Sequence, residues 1–419
     1  MNFIFLAIVV NLLCFSHNVC LSVLISKFND FDVYIGTYKS FFNELKTKMC
    51  NFVPEMRILL LGEYSNVHWN LALGLRALGH EVCVVSDGDN WKNYQRDIDL
   101  RRKSVSPTDT LRYLCDLLVT FPKFKNFDVV QIINPVFLSL KADKIRPFYN
   151  YLRKHNKKVF LGAFGMDYYY IKSCLDCKTF RYSDFNIGTK IRQASFNDIW
   201  LQDWYYGSKG KLNQYIAHDC DGIITGLYEY DCAYQPEFKE KTCFIPFPID
   251  TSVVPRKLQK HEKVRFFIGI QKQRSAYKGT DIMLEALENA RRDFPDKIEI
   301  VKVESVPFSE YKQLLSGSDI ILDQLYAYTP AMNALTAMAQ GLVVMGGGEP
   351  EAYDLLGDHE LRPVVNVLPD KQSVYDAVVE LATHPECIPD LSRRGVEYVH
   401  RFHDYKKVAE RYVRFYCSR

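Results

Sequence analysis

The stretch GIQKQRSAYKGTDIMLEAL, Gly269–Leu287, joins a strand-like run to a helix-like run through an unusually basic loop. VRFFIG (264–269) ahead of it is a short apolar run of the kind a buried strand needs, and TDIMLEAL behind it has its apolar residues at helical spacing. The loop gathers Lys272, Gln273, Arg274 and Lys278 and closes on Gly279. A loop that leaves the carboxyl end of a strand and enters a helix presents unpaired backbone N–H groups, and the helix dipole favours an anion there. Arg274 and Lys278 add the charge that suits a phosphate or a diphosphate, and Gly279 lets backbone come close. A solvated basic turn would have the same composition, so the loop alone leaves both readings open.

The same strand–loop–helix grammar continues on both sides. Downstream stand KIEIVKV, FSEYKQLLSGS, DIILD, PAMNALTAMAQG with Pro330 in its first turn and Gly341 at its end, and LVVM followed by GGGEPE. Helical runs near 372–383, 389–401 and 404–416 close the chain. Upstream, RILLL (57–61), HWNLALGLRALG, EVCVVSDGD, FDVVQIINP, KKVFLGAFG and CDGIITG repeat the alternation. Between the two series, CFIPFPIDTSVVPRKLQKHEK breaks the rhythm with three prolines and a cluster of charges, as a linker does. The pattern predicts an α/β protein of two doubly wound, Rossmann-like domains facing a cleft. Their expected bounds are 56–250 for the N-terminal domain, 251–262 for the linker and 263–403 for the C-terminal domain. A last helix, 404–419, is expected to pack back on the N-terminal domain. Residues 1–55 read as an apolar leader outside the fold, a weak anchor or an over-called start, with Met56 opening the folded part.

The 419 residues are 47% hydrophobic and 25% charged, an ordinary globular balance with room for two domains, and the net charge of +3 does not mark a nucleic-acid binder. The charge is uneven, however. Lys92–Lys158 carries fifteen Lys and Arg against six Asp, a net of +9, which suits either a solvated basic face or attraction to an anionic membrane or a phosphorylated acceptor. The twelve cysteines show no framework or zinc spacing and read as reduced thiols of a cytoplasmic protein. No Asp-x-Asp stands at a donor-domain strand end, since DID at 97–99 falls in the basic N-terminal region. No metal and no cofactor are therefore expected. LLLGEYSNVH lacks the G-x-G-x-x-G of a nicotinamide enzyme.

Several stretches together carry a family resemblance. The run from Gly269 through Arg274 and Lys278-Gly279 to Leu287 resembles the donor-diphosphate loop of GT-B glycosyltransferases of family 4. ALTAMAQGLVVM is similar to that family's helix before a Val-Val strand, IPFPID to the end of its N-terminal domain, and RILLLGEYSNVHWNLALGLRALGHEVCVVSDGD to its first strand–helix–strand. The likeness covers about residues 56–415. It implies a retaining transferase that moves a sugar from a nucleotide diphosphate to a glycan or lipid-linked acceptor in bacterial polysaccharide or glycolipid assembly. The protein would then be cytoplasmic, with a peripheral place at the inner face of the cytoplasmic membrane. Arg274 and Lys278 would hold the diphosphate, with Gly269 and Gly279 beside it.

The sequence also departs from the family. Where family 4 commonly has E-x7-E, this chain has Tyr328 and Thr336. Tyr328 or Thr329 is left as a hydrogen-bonding partner for the donor, and Glu349, after Gly346–Gly348, as a substitute carboxylate. Gly62, Asn66, His68 and Asp167 lie at strand ends on the acceptor side of the cleft. A structural reading stands beside each: a core histidine for His68 and a helix N-cap for Asp167. The aromatics of DIWLQDW in 180–210 suggest an acceptor loop. A GT-B nucleotide-sugar epimerase and a nucleotide-sugar-binding protein without turnover remain the rival readings.

Overall fold

The structure is a computed structural model that describes residues 54–256, 261–271, 274–304 and 308–419. The expected leader, most of which precedes residue 54, lies outside the described residues, as do Lys272 and Gln273.

The first sheet starts with β1 (Arg57–Leu61), β2 (Glu81–Ser86), β3 (Ile98–Asp99), β4 (Val129–Ile132) and β5 (Lys158–Ala163). A short antiparallel pair, β6 (Asn186–Ile187) and β7 (Lys190–Ile191), stands apart from it. The sheet is completed by β8 (Gly222–Thr225) and β9 (Thr242–Phe244), giving the order β3-β2-β1-β4-β5-β8-β9, all parallel. Helices on both faces of a parallel sheet require strands that are apolar on both sides. RILLL meets that demand: Ile58, Leu59, Leu60 and Leu61 are all buried.

The second sheet contains β10 (Val264–Ile270), β11 (Ile298–Glu304), β12 (Ile320–Leu322), β13 (Val343–Gly346) and β14 (Val365–Asn366) in the parallel order β11-β10-β12-β13-β14. Phe266, Phe267 and Ile268 of β10 are fully buried at its centre. Each sheet reverses its winding once, between β1 and β4 and between β10 and β12. In doubly wound sheets the crevice beyond the carboxyl ends at such a reversal is where ligands bind.

The chain returns to the first sheet at its end. The Ile249 N–H donates to the His403 carbonyl at 2.7 Å, and the Tyr405 N–H donates to the Ile249 carbonyl at 3.1 Å. The helix Tyr405–Ser418 then lies along the helix Val67–Ala77. Its Tyr416 hydroxyl donates to Gln131 of β4 at 2.5 Å, and Lys158 of β5 caps the Tyr416 carbonyl at 2.8 Å. Gly74 allows this approach: a Cβ there would stand 2.2 Å from the Tyr405 carbonyl oxygen and 2.7 Å from the Ala409 Cβ.

Gly74→Ala should therefore push the last helix away despite Ala's better helix propensity. An overpacked backbone contact of this kind costs about 1–3 kcal/mol, so Tm should fall by several degrees in a thermal melt of the full chain. An unchanged Tm would show that the two helices do not pack at this distance.

Candidate functional site

The loops after β10 and β12 lie side by side at the second sheet's reversal. A single helical turn, Ser275–Lys278, follows β10, and Gly279 at φ 74° joins it to the helix Thr280–Asp293. Gly279 serves twice. Its φ is one that side chains resist, and a Cβ would come within 2.6 Å of the Leu325 Cβ. The Leu325 N–H also donates to the Lys278 carbonyl at 3.0 Å, which ties the two loops together. Gly269, at the end of β10, lies under Tyr311, whose ring edge a Cβ would meet at 3.0 Å.

Lys278 is half-buried. Burial lowers the pKa of its ammonium, and Asp323 opposes that shift; Arg274, Lys92 and Asp184 also face it. Among the described residues no ion pair or hydrogen bond holds the Lys278 side chain. Asp323 is held by Asn333 at 3.0 Å; burial raises the pKa of its carboxyl and Lys278 acts against that. The Arg274 guanidinium lies 5.6 Å from the centre of the Tyr277 ring. Cations from both halves thus converge on one crevice.

Across that crevice, Gly62 (φ 88°) and Asn66 (φ 72°) bound the loop after β1. A Cβ on Gly62 would strike Ile133 at 2.3 Å, so this glycine serves close packing of the loop. Asp89 accepts from the Ser65 N–H at 2.9 Å and from Lys92 at 2.6 Å, which ties Lys92 to the loop after β1, and its charge is felt at Lys278. Glu63 is buried and accepts from the N–H groups of His68 and Trp69 at 3.2 and 3.0 Å. The first turn of Val67–Ala77 is therefore already capped from within, while burial raises the Glu63 pKa to about 8.

Five expected site residues are committed elsewhere. His68 does not face the crevice. It is fully buried, with Nδ1 at 2.8 Å from the Gly62 carbonyl and Nε2 at 3.0 Å from Gln131, whose oxygen accepts from Tyr416. This chain of bonds requires a neutral ring, and burial lowers its pKa to about 3. Asp167 is the N-cap of Tyr168–Leu175, accepting from the Tyr170 N–H at 2.8 Å and the Tyr234 hydroxyl at 2.9 Å. The Tyr328 ring is buried in the first half's core, stacked on Tyr228 at 5.5 Å and packed on Phe180 and Tyr182. The Thr329 hydroxyl donates to Glu229 at 2.8 Å, and that carboxylate also takes the N–H groups of Tyr328 and Thr329 at 2.7 and 3.2 Å. Thr336 turns back on its own helix to the Met332 carbonyl at 2.6 Å.

Glu349 is also engaged. Arg181 reaches it at 2.6 Å, the Tyr182 hydroxyl donates to it, and Asn366 donates at 3.1 Å. The glycines before it let the loop after β12 come close: a Cβ on Gly347 would lie 1.8 Å from the Ala327 carbonyl oxygen. Arg181 further pairs with Glu351, and its N–H donates to the Tyr328 hydroxyl at 2.8 Å.

These partners come from a segment that sequence reading saw only as an aromatic insertion. Asp184 and Arg192 belong to it, and together with Lys92 and Asp323 they complete the crevice. Lys92 stood out only as one charge in a basic run, and nothing local in the sequence marks the others.

No family model matches the sequence, and no curated protein matches it either. Solved structures do resemble the fold. Sucrose-phosphate synthase from Thermosynechococcus elongatus aligns over 87% of this chain and 99% of its own, with a TM-score of 0.56 and 14% identity. Anabaena HepE, solved in complex with UDP and glucose, aligns over 87% of this chain and 100% of its own, with a TM-score of 0.55 and 10% identity. A glycosyltransferase from Rickettsia africae covers 87% of this chain and 98% of its own at a TM-score of 0.50 and 12% identity. The chain has the GT-B fold: two Rossmann-like halves closing on a crevice.

The buried imidazole makes a testable demand. An unfolded histidine protonates near pH 6.5, but His68 stays neutral to about pH 3. Between those values the unfolded chain binds the extra proton, so stability is lost as pH falls. At pH 5 the loss from this one group is about 2 kcal/mol relative to pH 8. The stability of His68→Gln should fall less over the same interval when both proteins are unfolded in urea. Parallel curves would place His68 in contact with solvent.

Proposed function

We propose that this protein is a retaining glycosyltransferase, similar to those of family 4, that moves a sugar from a nucleotide-diphosphate donor to a glycan or lipid-linked acceptor. The observation that carries the reading is the cation pair Arg274 and Lys278 at the carboxyl end of β10, with no direct ion pair or hydrogen bond to the Lys278 side chain among the described residues. When the bond between sugar and diphosphate breaks, negative charge builds on the leaving phosphate. Two cations carried on one helical turn, with a helix N-terminus behind them, stabilise that charge more than they stabilise the intact donor. With charge supplied by side chains, the reaction is proposed to need neither a metal nor a cofactor.

HepE in complex with UDP and glucose makes UDP the sensible first probe. Arg274→Ala and Lys278→Ala should each weaken UDP binding about ten- to a hundredfold, the worth of a charge-assisted hydrogen bond. Each should lower kcat by a further factor on the order of 10² to 10³. Uridine should bind the variants as it binds the native chain. Native affinity in both variants would remove the diphosphate reading. The engagement of Glu349 by Arg181 and Tyr182 favours a second reading, a nucleotide-sugar-binding protein without turnover. That protein would lose affinity in the same variants yet hydrolyse or transfer no donor with any acceptor.

A peripheral place on an anionic membrane is part of the proposal. The helix Pro107–Thr120 exposes Leu111 at 65%, Leu118 at 70% and Val119 at 67%. Lys103, Arg112, Lys123 and Lys125 are exposed around them. Leucines that enter the acyl boundary beneath cations that meet lipid phosphates make a surface-binding face. The full chain should co-sediment with vesicles containing phosphatidylglycerol and dissociate as salt is raised. It should ignore phosphatidylcholine vesicles, and Leu118→Asp should bind anionic vesicles more weakly. Equal partition onto both kinds of vesicle would reduce the charge to a solvated face. No helix among the described residues is long and apolar enough to cross a membrane.

A further inference from the structure

Asp184 is held where the two halves meet. Its Oδ2 accepts from the Tyr170 hydroxyl at 2.8 Å and from the Tyr277 hydroxyl at 2.7 Å, one from each half. Arg192 fixes the backbone around it, donating to the Asp184 carbonyl at 2.7 Å and to the Ala276 carbonyl at 2.8 Å. The same guanidinium lies 3.4 Å from the centre of the Tyr326 ring. Asp184 is therefore bonded directly to the helical turn that carries Lys278, and Arg274 lies against the Tyr277 ring. Its Oδ1 takes no hydrogen bond among the described residues.

The groups facing this carboxylate come from every element around it: Tyr170 and Cys174, Tyr230, Arg192, Arg274, Tyr277, Lys278 and Tyr326. Three of them are cations, and two are the cations assigned above to the diphosphate. A crevice that gathers positive charge in low polarity needs a counter-ion when it is empty. Asp323 supplies one negative charge from the second half, and Asp184 supplies another from the first.

We propose that Asp184 is a resident counter-anion, which balances Arg274 and Lys278 in the empty site and competes with the diphosphate for them. An arriving diphosphate takes over the cations against the repulsion of a carboxylate that cannot swing away, because two tyrosines and Arg192 hold it. After transfer, the same repulsion promotes departure of the nucleoside diphosphate. Asp184 is in this sense a residue of product release, and the inference rests on the reading of Arg274 and Lys278 given above.

The test is calorimetric titration of inorganic diphosphate and of UDP into the full chain, with dissociation rates from stopped-flow displacement. Asp184→Asn keeps an oxygen that can accept from both tyrosines, removes the charge and turns the other oxygen into an NH2 donor. It should bind both ligands roughly tenfold more tightly and release them more slowly. Structural damage would act in the opposite direction, so a gain of affinity is diagnostic. Should the asparagine variant fail to fold, Asp184→Ser is titrated in its place, and the same gain is expected. Unchanged or weaker binding in a folded variant overturns the proposal. Lys278→Ala, titrated in parallel, separates the two levels. If it weakens diphosphate binding while the Asp184 variant binds as the native chain does, only the counter-anion is lost. If it leaves binding unchanged, or if the native chain binds no diphosphate, both readings fall.

Discussion

Glu229 is a buried carboxylate in the first half whose hydrogen-bond donors lie about a hundred residues further along, in the second: the N–H groups of Tyr328 and Thr329 and the Thr329 hydroxyl. A carboxylate at this depth is costly unless it is well supplied with donors. Burial raises its pKa while those bonds oppose the shift, so the second half supplies the donors that the burial of this carboxylate calls for. The other bonds across the junction follow from that closure. The Tyr328 ring enters the first half's aromatic core, Arg181 meets Glu349 and Glu351, and Asp184 meets Tyr277. The loop after β12 is thereby fixed at both its backbone and its side chains, and the neighbouring loop after β10 is tied to it through Leu325 and Lys278.

This explains what the chain has done with positions that its sequence suggests for ligands. Tyr328 and Thr329 hold the halves together, and Glu349 binds an arginine of the same chain. Charge-assisted bonds between the halves thus occupy these positions. Arg181 is more than half exposed at its side chain, so its pairs with Glu349 and Glu351 are the weakest part of the closure, whereas Glu229 and Tyr328 lie deep.

The fold was legible because its strands are made of continuous apolar runs. RILLL and VRFFIG admit few other placements, and Gly79, Gly279 and Gly341 punctuate the helices as left-handed turns do. Side-chain direction at helix starts was not legible. His68 opens Val67–Ala77, and only the sheet's winding decides that its ring turns inward to Gln131. Asp167 looks the same in sequence whether it caps a helix or serves a ligand. Contacts between distant segments were invisible altogether: Arg181 and Glu349 are 168 residues apart, and Asp184 and Tyr277 are 93 apart. A basic loop before a helix is a local feature and can be read locally. A counter-ion brought by another segment cannot.

The return of the last helix to the first sheet bears on how the chain is made. Gln131 and His68 finish their hydrogen-bond chain only when Tyr416 arrives, and Gly74 stays uncovered until Tyr405 and Ala409 cover it. During synthesis the first half emerges early, yet part of its surface waits for residues 405–416 to be translated. The second sheet, whose strands all fall between Val264 and Asn366, can complete its own core sooner. Vectorial synthesis would thus favour the second half as the first finished unit, with the first half held as a partly open intermediate exposed to chaperones and to aggregation.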